Sequence, residues 1–438
     1  MPGFQKETLY TKEPVKTHTV TRTMIAVKIY SPQNWKYFCK ILVIMVMIGF
    51  IVQFWKVSEP FRCQEQIYRN TSELWQEFLK NTMKARPIDK GSSFWDTSPF
   101  IDSCKPKNHI FFLKTHKTAS STVMNILFRF GDSRNLAFAF PFQSQFSYPS
   151  FFSSKFVKGF TEQSNKEFHI MCHHMRFQLS EVEKVMPNDT FYFTILRNPI
   201  SQMESSFSYY RNTGAFQKAK SLDEFLKNTS MYYIISKGRS YYAKNSMAFD
   251  LGFDHNTHTS AKQLKLVCHM VESMFDLVLI SDYFDESLVL LKNALCWSLD
   301  DILSIPLNSR SNTTKRSLSK DTQEKIKTWS QIDWHLYTYF NRSFWNQVEK
   351  YGRERMERDV EELRRKRNET AQACLQGEVD PKHIRDKSLA PYQSGIARIL
   401  GYNLKPGLKE IDKRLCQRLV TPELQYSTLL HDKSKNAT

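Results

Sequence analysis

The chain has 438 residues, of which 41% are hydrophobic and 14% aromatic, enough to build a sizeable packed core. Its formal charge of +18 calls for an anionic partner. The Lys and Arg residues are interspersed with acids rather than clustered, which argues against nucleic acid and leaves a membrane surface or an anionic small molecule. In chain order, residues 1–36 read as a cytosolic tail. The apolar run Ile41–Trp55, extended back to Tyr37, approaches the ~17–25 residues that cross a bilayer. Tyr37, Phe38, Phe54 and Trp55 suit its two interfaces. Lys6, Lys12, Lys16, Arg22, Lys28, Lys36 and Lys40 stand against only Glu7 and Glu13, so the positive-inside rule predicts a type II transmembrane signal anchor at 37–55. Residues 56–106 then read as a lumenal stem and 107–438 as one lumenal catalytic domain. The N-x-S/T sequons at Asn70, Asn188, Asn228, Asn312, Asn341, Asn368 and Asn436 all follow the anchor, as glycosylation would require. Of the eight cysteines, Cys39 lies at the membrane edge and seven follow. An odd number leaves at least one thiol free or bridging two copies, so a homodimer stays open. None has CxxC or paired Cys/His spacing, which favours disulfides over zinc.

Within the catalytic segment, Ile110–Leu113 is a short apolar run of strand type, Lys114–Ser121 is polar, and Thr122–Phe130 has helical spacing. The same order returns. Phe168–Cys172 and Phe191–Leu196 read as strands, the second followed by Arg197-Asn198-Pro199 and a helix through Tyr209, with Pro199 suited to a first helical turn. Leu277–Ile280 is another strand, followed by a helix from Glu286 to about Trp297. Beyond Thr322 the chain reads as mostly helical. Apolar strands alternating with helices predict an α/β fold, a P-loop-like parallel sheet flanked by helices on both faces.

Two loops carry chemistry. His116-Lys117-Thr118-Ala119-Ser120-Ser121-Thr122 lies between a strand and a helix N-terminus, where free N–H groups and the helix dipole favour an anion. Lys117 adds a compact positive charge, and Thr118, Ser120, Ser121 and Thr122 add hydroxyl donors. The loop lacks the glycines and the G-K-[ST] ending of a nucleoside triphosphatase, and no acidic residue is evident to hold magnesium. A Ser/Thr-capped helix is the plain alternative. Arg197, at the end of a second strand, and Ser205, about two helical turns on, are spaced to face one phosphate, with the guanidinium as a fork.

A strand–HKTASST–helix loop with a downstream strand–R-N-P-x5-S resembles the two cofactor-binding elements of sulfotransferases that use 3′-phosphoadenosine 5′-phosphosulfate (PAPS). The string FLKTHKTASSTVMNILFRFG resembles the galactose 3-O-sulfotransferases. So do HMRF (His174–Phe177), ESSF (Glu204–Phe207), YFDESLVLLK (Tyr283–Lys292), GRERM (Gly352–Met356) and ILGYNL (Ile399–Leu404). AFAFP (Ala137–Pro141) and TPELQY (Thr421–Tyr426) look closest to the galactosylceramide-acting members of that family. The resemblance implies that Lys117, Thr118, Ala119, Ser120, Ser121 and Thr122 hold the 5′-phosphosulfate of PAPS, that Arg197 and Ser205 hold its 3′-phosphate, and that no catalytic metal takes part. It further implies a glycolipid or galactose-ended glycan as acceptor, and a Golgi membrane location with the catalytic domain in the lumen.

A base must take the proton of the acceptor hydroxyl. His173 and His174 stand at a strand end, where parallel-sheet sites gather. The HMRF match points to His174, with Glu204 as rival. His173 and Arg176 are candidates for contacting substrate, against readings in which His173 bonds to backbone and Arg176 braces the loop. Two other classes stay in view: a lumenal ATP-dependent kinase, which would need metal-holding carboxylates, and a non-catalytic sugar-binding membrane glycoprotein.

Overall fold

The computed structural model describes residues 104–163, 166–235 and 238–436. Four strands, β1 (Ile110–Leu113), β2 (Ile170–Met171), β3 (Phe191–Leu196) and β4 (Leu277–Ile280), form one sheet in the order β2-β1-β3-β4. All three pairings are parallel, with Ile110 opposite Ile170 and Phe191, and Phe193 opposite Leu277. Every residue of these strands is buried. That is why they read as continuous apolar runs, since a parallel sheet hides both faces beneath its crossover helices.

The crossovers are α1 (Ser120–Ser133) after β1, α2 (Pro199–Tyr209) after β3, and α3 (Ser246–Asp250) and α4 (Ala261–Met274) before β4. Then come α5 (Phe284–Leu295), α6 (Gln331–Tyr351) and α7 (Arg353–Cys374), with α6 packed on β4 and α4. A two-stranded antiparallel ribbon, β5 (Leu375–Val379) and β6 (Gly401–Leu404), leads to α8 (Glu410–Val420) and α9 (Glu423–Asn436). Helix α9 returns to pack on α1, and Arg418 and Lys433 both pair with Asp132 at the end of that helix. The last helix is thereby pinned beside the first loop of the sheet.

Asn198 caps α2 by accepting from the N–H of Ile200 at 3.0 Å, and Pro199 follows in the first turn. The sequence Arg-Asn-Pro is thus a helix-starting device that leaves Arg197 at the strand end. Two disulfides, Cys104–Cys296 and Cys374–Cys416, staple the domain, whereas Cys172 and Cys268 are buried free thiols. Cys39 and Cys63 lie outside the described residues.

One part of the expected fold needs correction. The sequence reading attached an N-terminal transmembrane helix to the α/β domain. Among the described residues no helix is long and apolar enough to cross a membrane. The apolar run at 37–55, the preceding tail and the stem up to residue 103 lie outside the described residues.

Candidate active site

A cleft of about 1680 Å³ opens over the carboxyl ends of the strands. A pocket for one drug-sized ligand measures roughly 300–1,000 Å³, so this space admits two substrates side by side.

The loop after β1 forms one wall. Lys117 and Ala119 both adopt left-handed backbone conformations, with φ of 62° and 63°. Such residues cost about 1–3 kcal/mol each when they are not glycine. The loop thus makes the tight turn of a phosphate cradle without the glycines whose absence is conspicuous in the sequence. The Lys117 ammonium lies 3.7 Å from the centre of the Tyr209 ring. Burial, reinforced by Arg197, Lys114 and Arg310, lowers its pKa to about 7. Crowding of that many cations marks a place built for an anion.

Arg197 closes the cradle from the neighbouring strand, its guanidinium donating to the Lys117 carbonyl at 2.9 Å. Ser205, on α2, lines the same cleft, as do Thr118, Ala119, Ser120 and Ser121. Thr122 is turned away, its hydroxyl accepting from the Leu307 N–H at 3.0 Å. The two loops expected to act together therefore do meet in one cleft.

His174 lines the cleft with its Nδ1 2.9 Å from the Lys114 carbonyl. A carbonyl only accepts, so the proton sits on Nδ1 and the lone pair on Nε2 is left free. Burial, followed by His116 and Lys114, holds its pKa well below the ordinary value, keeping the ring neutral. Glu204 is engaged differently, its carboxylate pairing with Arg310 and accepting from the Arg316 N–H at 3.3 Å. Arg176 lies between the rings of Phe151 and Phe249, 3.8 and 4.3 Å from their centres, and borders the cleft. His173 is not among the residues that line the cleft. It is buried beside Phe128, Phe140 and Phe146, with Nε2 2.7 Å from the Ser427 hydroxyl, and burial lowers its pKa to about 4.

Four residues at the site escaped the sequence reading. Lys114, only 2% exposed, donates to Ser120 at 3.1 Å and Ser121 at 3.3 Å, and pairs with Glu423 at 3.1 Å. Glu423, the first residue of α9, accepts from the Ser121 hydroxyl at 2.7 Å and so sets a carboxylate in the cradle. Its motif, TPELQY, was visible in the sequence, but the role of the acid was not. Arg310 adds a cation from a distant loop. Asp250 binds His116 through the backbone N–H at 2.8 Å and the ring Nδ1 at 2.9 Å.

Among the described residues, one group has the spacing to hold a metal ion: His109, Glu167 and His169. It sits at the amino ends of β1 and β2, opposite the cleft, and His109 is already paired with Glu167 at 2.8 Å and Asp189 at 2.7 Å. Of the sequons, Asn188, Asn228, Asn312 and Asn368 are exposed and Asn341 is half-buried; Asn70 lies outside the described residues.

Two cationic loops converge over the carboxyl edge of a parallel sheet, each opening a helix, which is the place where sheets of this class receive anionic ligands. Comparison with known proteins narrows this class. The family described as Galactose-3-O-sulfotransferase matches residues 61–434. Galactose-3-O-sulfotransferase 2 of Homo sapiens is 49% identical over 334 residues, covering 74% of this chain and 83% of that protein. Galactosylceramide sulfotransferase of Homo sapiens is 42% identical, covering 74% and 78%. Galactose-3-O-sulfotransferase 4 of Bos taurus is 37% identical, covering 77% and 86%. The chain belongs to the galactose-3-O-sulfotransferase family and is a sulfotransferase.

Proposed function

We propose that this protein transfers a sulfuryl group from PAPS to the 3-hydroxyl of a galactose residue. The observation that carries the reading is the contact between Arg197 and the Lys117 carbonyl, which makes two anion-binding loops into one site. One cleft lined by two cationic loops suits a nucleotide carrying charge at both its 3′ and 5′ positions, and PAPS is the donor the family implies.

In this reading Lys117 and residues 118–121 hold the 5′-phosphosulfate, while Arg197 and Ser205 hold the 3′-phosphate. When bound, the donor supplies an activated sulfuryl group on a phosphate leaving group. His174 accepts the proton of the attacking hydroxyl at Nε2, a contribution of ~10²–10⁴-fold for a well-placed base. Lys117 stabilises the negative charge that develops on the departing phosphate oxygen. Arg176, at the cleft edge, contacts the acceptor. Glu204 serves to fix Arg310 rather than to move a proton.

Relatives at 48–49% identity are named for galactose alone, and those named for galactosylceramide stand at 40–43%. The two disulfides and the exposed sequons support a lumenal site of action in the Golgi. The test is to incubate the protein with labelled PAPS and galactosylceramide, lactosylceramide or galactose-ended oligosaccharides. Label on galactose O3 is expected. Transfer that requires ATP and magnesium instead, or no label on any galactose, overturns the proposal.

A further inference from the structure

Asp250 closes α3 with a carboxylate that is fully buried. Its oxygens accept from the His116 N–H at 2.8 Å, the His116 ring Nδ1 at 2.9 Å and the Tyr148 hydroxyl at 2.8 Å. A buried carboxylate is costly to keep unless paired, and among the described residues its one hydrogen-bonded partner that can carry positive charge is the His116 imidazole. Since a carboxylate only accepts, the bond fixes a proton on His116 Nδ1. The Nε2 of that ring is buried and has no hydrogen-bond partner among the described residues. Around the ring stand Tyr148, Tyr210 and Tyr242, their centres 4.8, 6.3 and 5.0 Å from the centre of the imidazole.

What the ring does instead is lie flat on another imidazole. His116 and His174 are stacked with centres 3.8 Å apart and planes 7° from parallel. His174 is itself tied at Nδ1 to Lys114 O. Both imidazoles thus line the cleft, with the buried carboxylate behind His116. A brace needing only to close a turn would be complete with the backbone N–H and the tyrosine. The ring bond and the flat stack go beyond that.

We infer that Asp250, acting through His116, is a positioning residue for His174: it fixes the orientation and tautomer of the His116 ring, and that ring, stacked on His174, holds the base with its free Nε2 at the cleft. The inference rests on the reading of His174 as the base. In the transfer step the hydroxyl proton moves to His174 Nε2, leaving an imidazolium against the face of His116. A carboxylate that fixes a histidine tautomer and stabilises its cation is the arrangement of the hydrolase triad, in which Asp→Asn lowers kcat by about 10⁴ through the wrong tautomer. Here the effect passes through a second ring and is expected to be smaller.

The experiment is a mutant cycle. Asp250→Asn removes the negative charge and puts an amide donor at one of the two positions that stand 2.9 Å from the His116 Nδ1, so the ring tautomer is no longer fixed. We expect kcat to fall about 10²-fold, with KM for acceptor and affinity for adenosine 3′,5′-bisphosphate within threefold. His116→Phe, which keeps a flat ring among the tyrosines, should show the same split and serves if Asp250→Asn does not fold. In the double variant with His174→Gln, the Asp250 change should cost nothing further. Near-parent kcat in a folded Asp250→Asn protein that still binds the bisphosphate overturns the inference, as does a full additional loss on top of His174→Gln. If His174→Gln alone retains parent turnover, the base assignment fails instead, and the two failures are told apart.

Discussion

The guanidinium of Arg197 reaches across from the end of β3 and donates to the carbonyl of Lys117 at 2.9 Å. Residues 80 apart in sequence are thereby locked into one cradle at the ends of neighbouring strands. Arg197→Ala should weaken adenosine 3′,5′-bisphosphate much more than adenosine 5′-phosphate, collapsing the difference between them. Calorimetric titration of both nucleotides into both proteins measures this. Discrimination equal to the parent's removes Arg197 as the reader of the 3′-phosphate.

Lys117→Ala should lower turnover by at least ~10²–10³, the usual effect of removing one donor from a site of developing charge. Alanine changes no backbone preference at this left-handed position, so thermal unfolding should change little. Labelled transfer and circular dichroism on the same sample decide between a catalytic and a folding defect.

The same lysine makes donor binding sensitive to pH. Its pKa is lowered to about 7 from the ordinary 10.5, first by burial and then by Arg197, Lys114 and Arg310. A bound anion favours the charged form. Adenosine 3′,5′-bisphosphate should therefore take up a proton above pH 7 and bind more weakly as pH rises from there. Titrations in buffers of different ionisation enthalpy report that uptake. For the free protein the sign reverses: between about 7 and 10.5 the unfolded chain holds a proton that the folded one lacks, so this group makes stability rise with pH.

His174→Gln and Glu204→Gln separate the two candidate bases. Glu204 is held by Arg310 and the Arg316 N–H, whereas His174 keeps a free Nε2 at the cleft. Turnover should fall ~10²–10⁴-fold in His174→Gln and less than about tenfold in Glu204→Gln. The reverse ranking in saturating-substrate assays would reassign the base.

Glu423 sets a carboxylate against Lys114 and Ser121. Although burial opposes its ionisation, Lys114 and the Ser121 hydroxyl outweigh that and hold its pKa below the usual range. An incoming phosphosulfate thus meets an existing anion. Glu423→Gln should tighten adenosine 3′,5′-bisphosphate by about tenfold, the equivalent of ~1.4 kcal/mol. Weaker binding in that variant would show that the acid supports the cradle instead of competing for it.

The strands were legible because burial on both faces makes them uninterrupted apolar runs, and β1, β3 and β4 fall where those runs do. The strand expected at Phe168–Cys172 pairs only over Ile170–Met171, because it is the edge of the sheet and the Phe138 segment bridges to it. The loops at 116–122 and 197–205 were legible because an anion demands particular residue types at a helix start. Asp250, Glu423 and Arg310 were not. A single acid or arginine has no local pattern; Glu423 and Arg310 reach the cleft, and Asp250 reaches His116 behind it, only when distant segments close together. The disulfide Cys104–Cys296 likewise joins positions 192 apart that no spacing rule connects.

Ser121 and its carboxylate partner Glu423 stand 302 positions apart. The donor wall therefore stays open until nearly the last helix of the domain has been synthesised. A nascent chain that has already formed β1 and α1 would display a basic cradle with neither its internal anion nor the covering helix. Nucleotide affinity of fragments ending before and after α9 should report when maturation of this enzyme is complete.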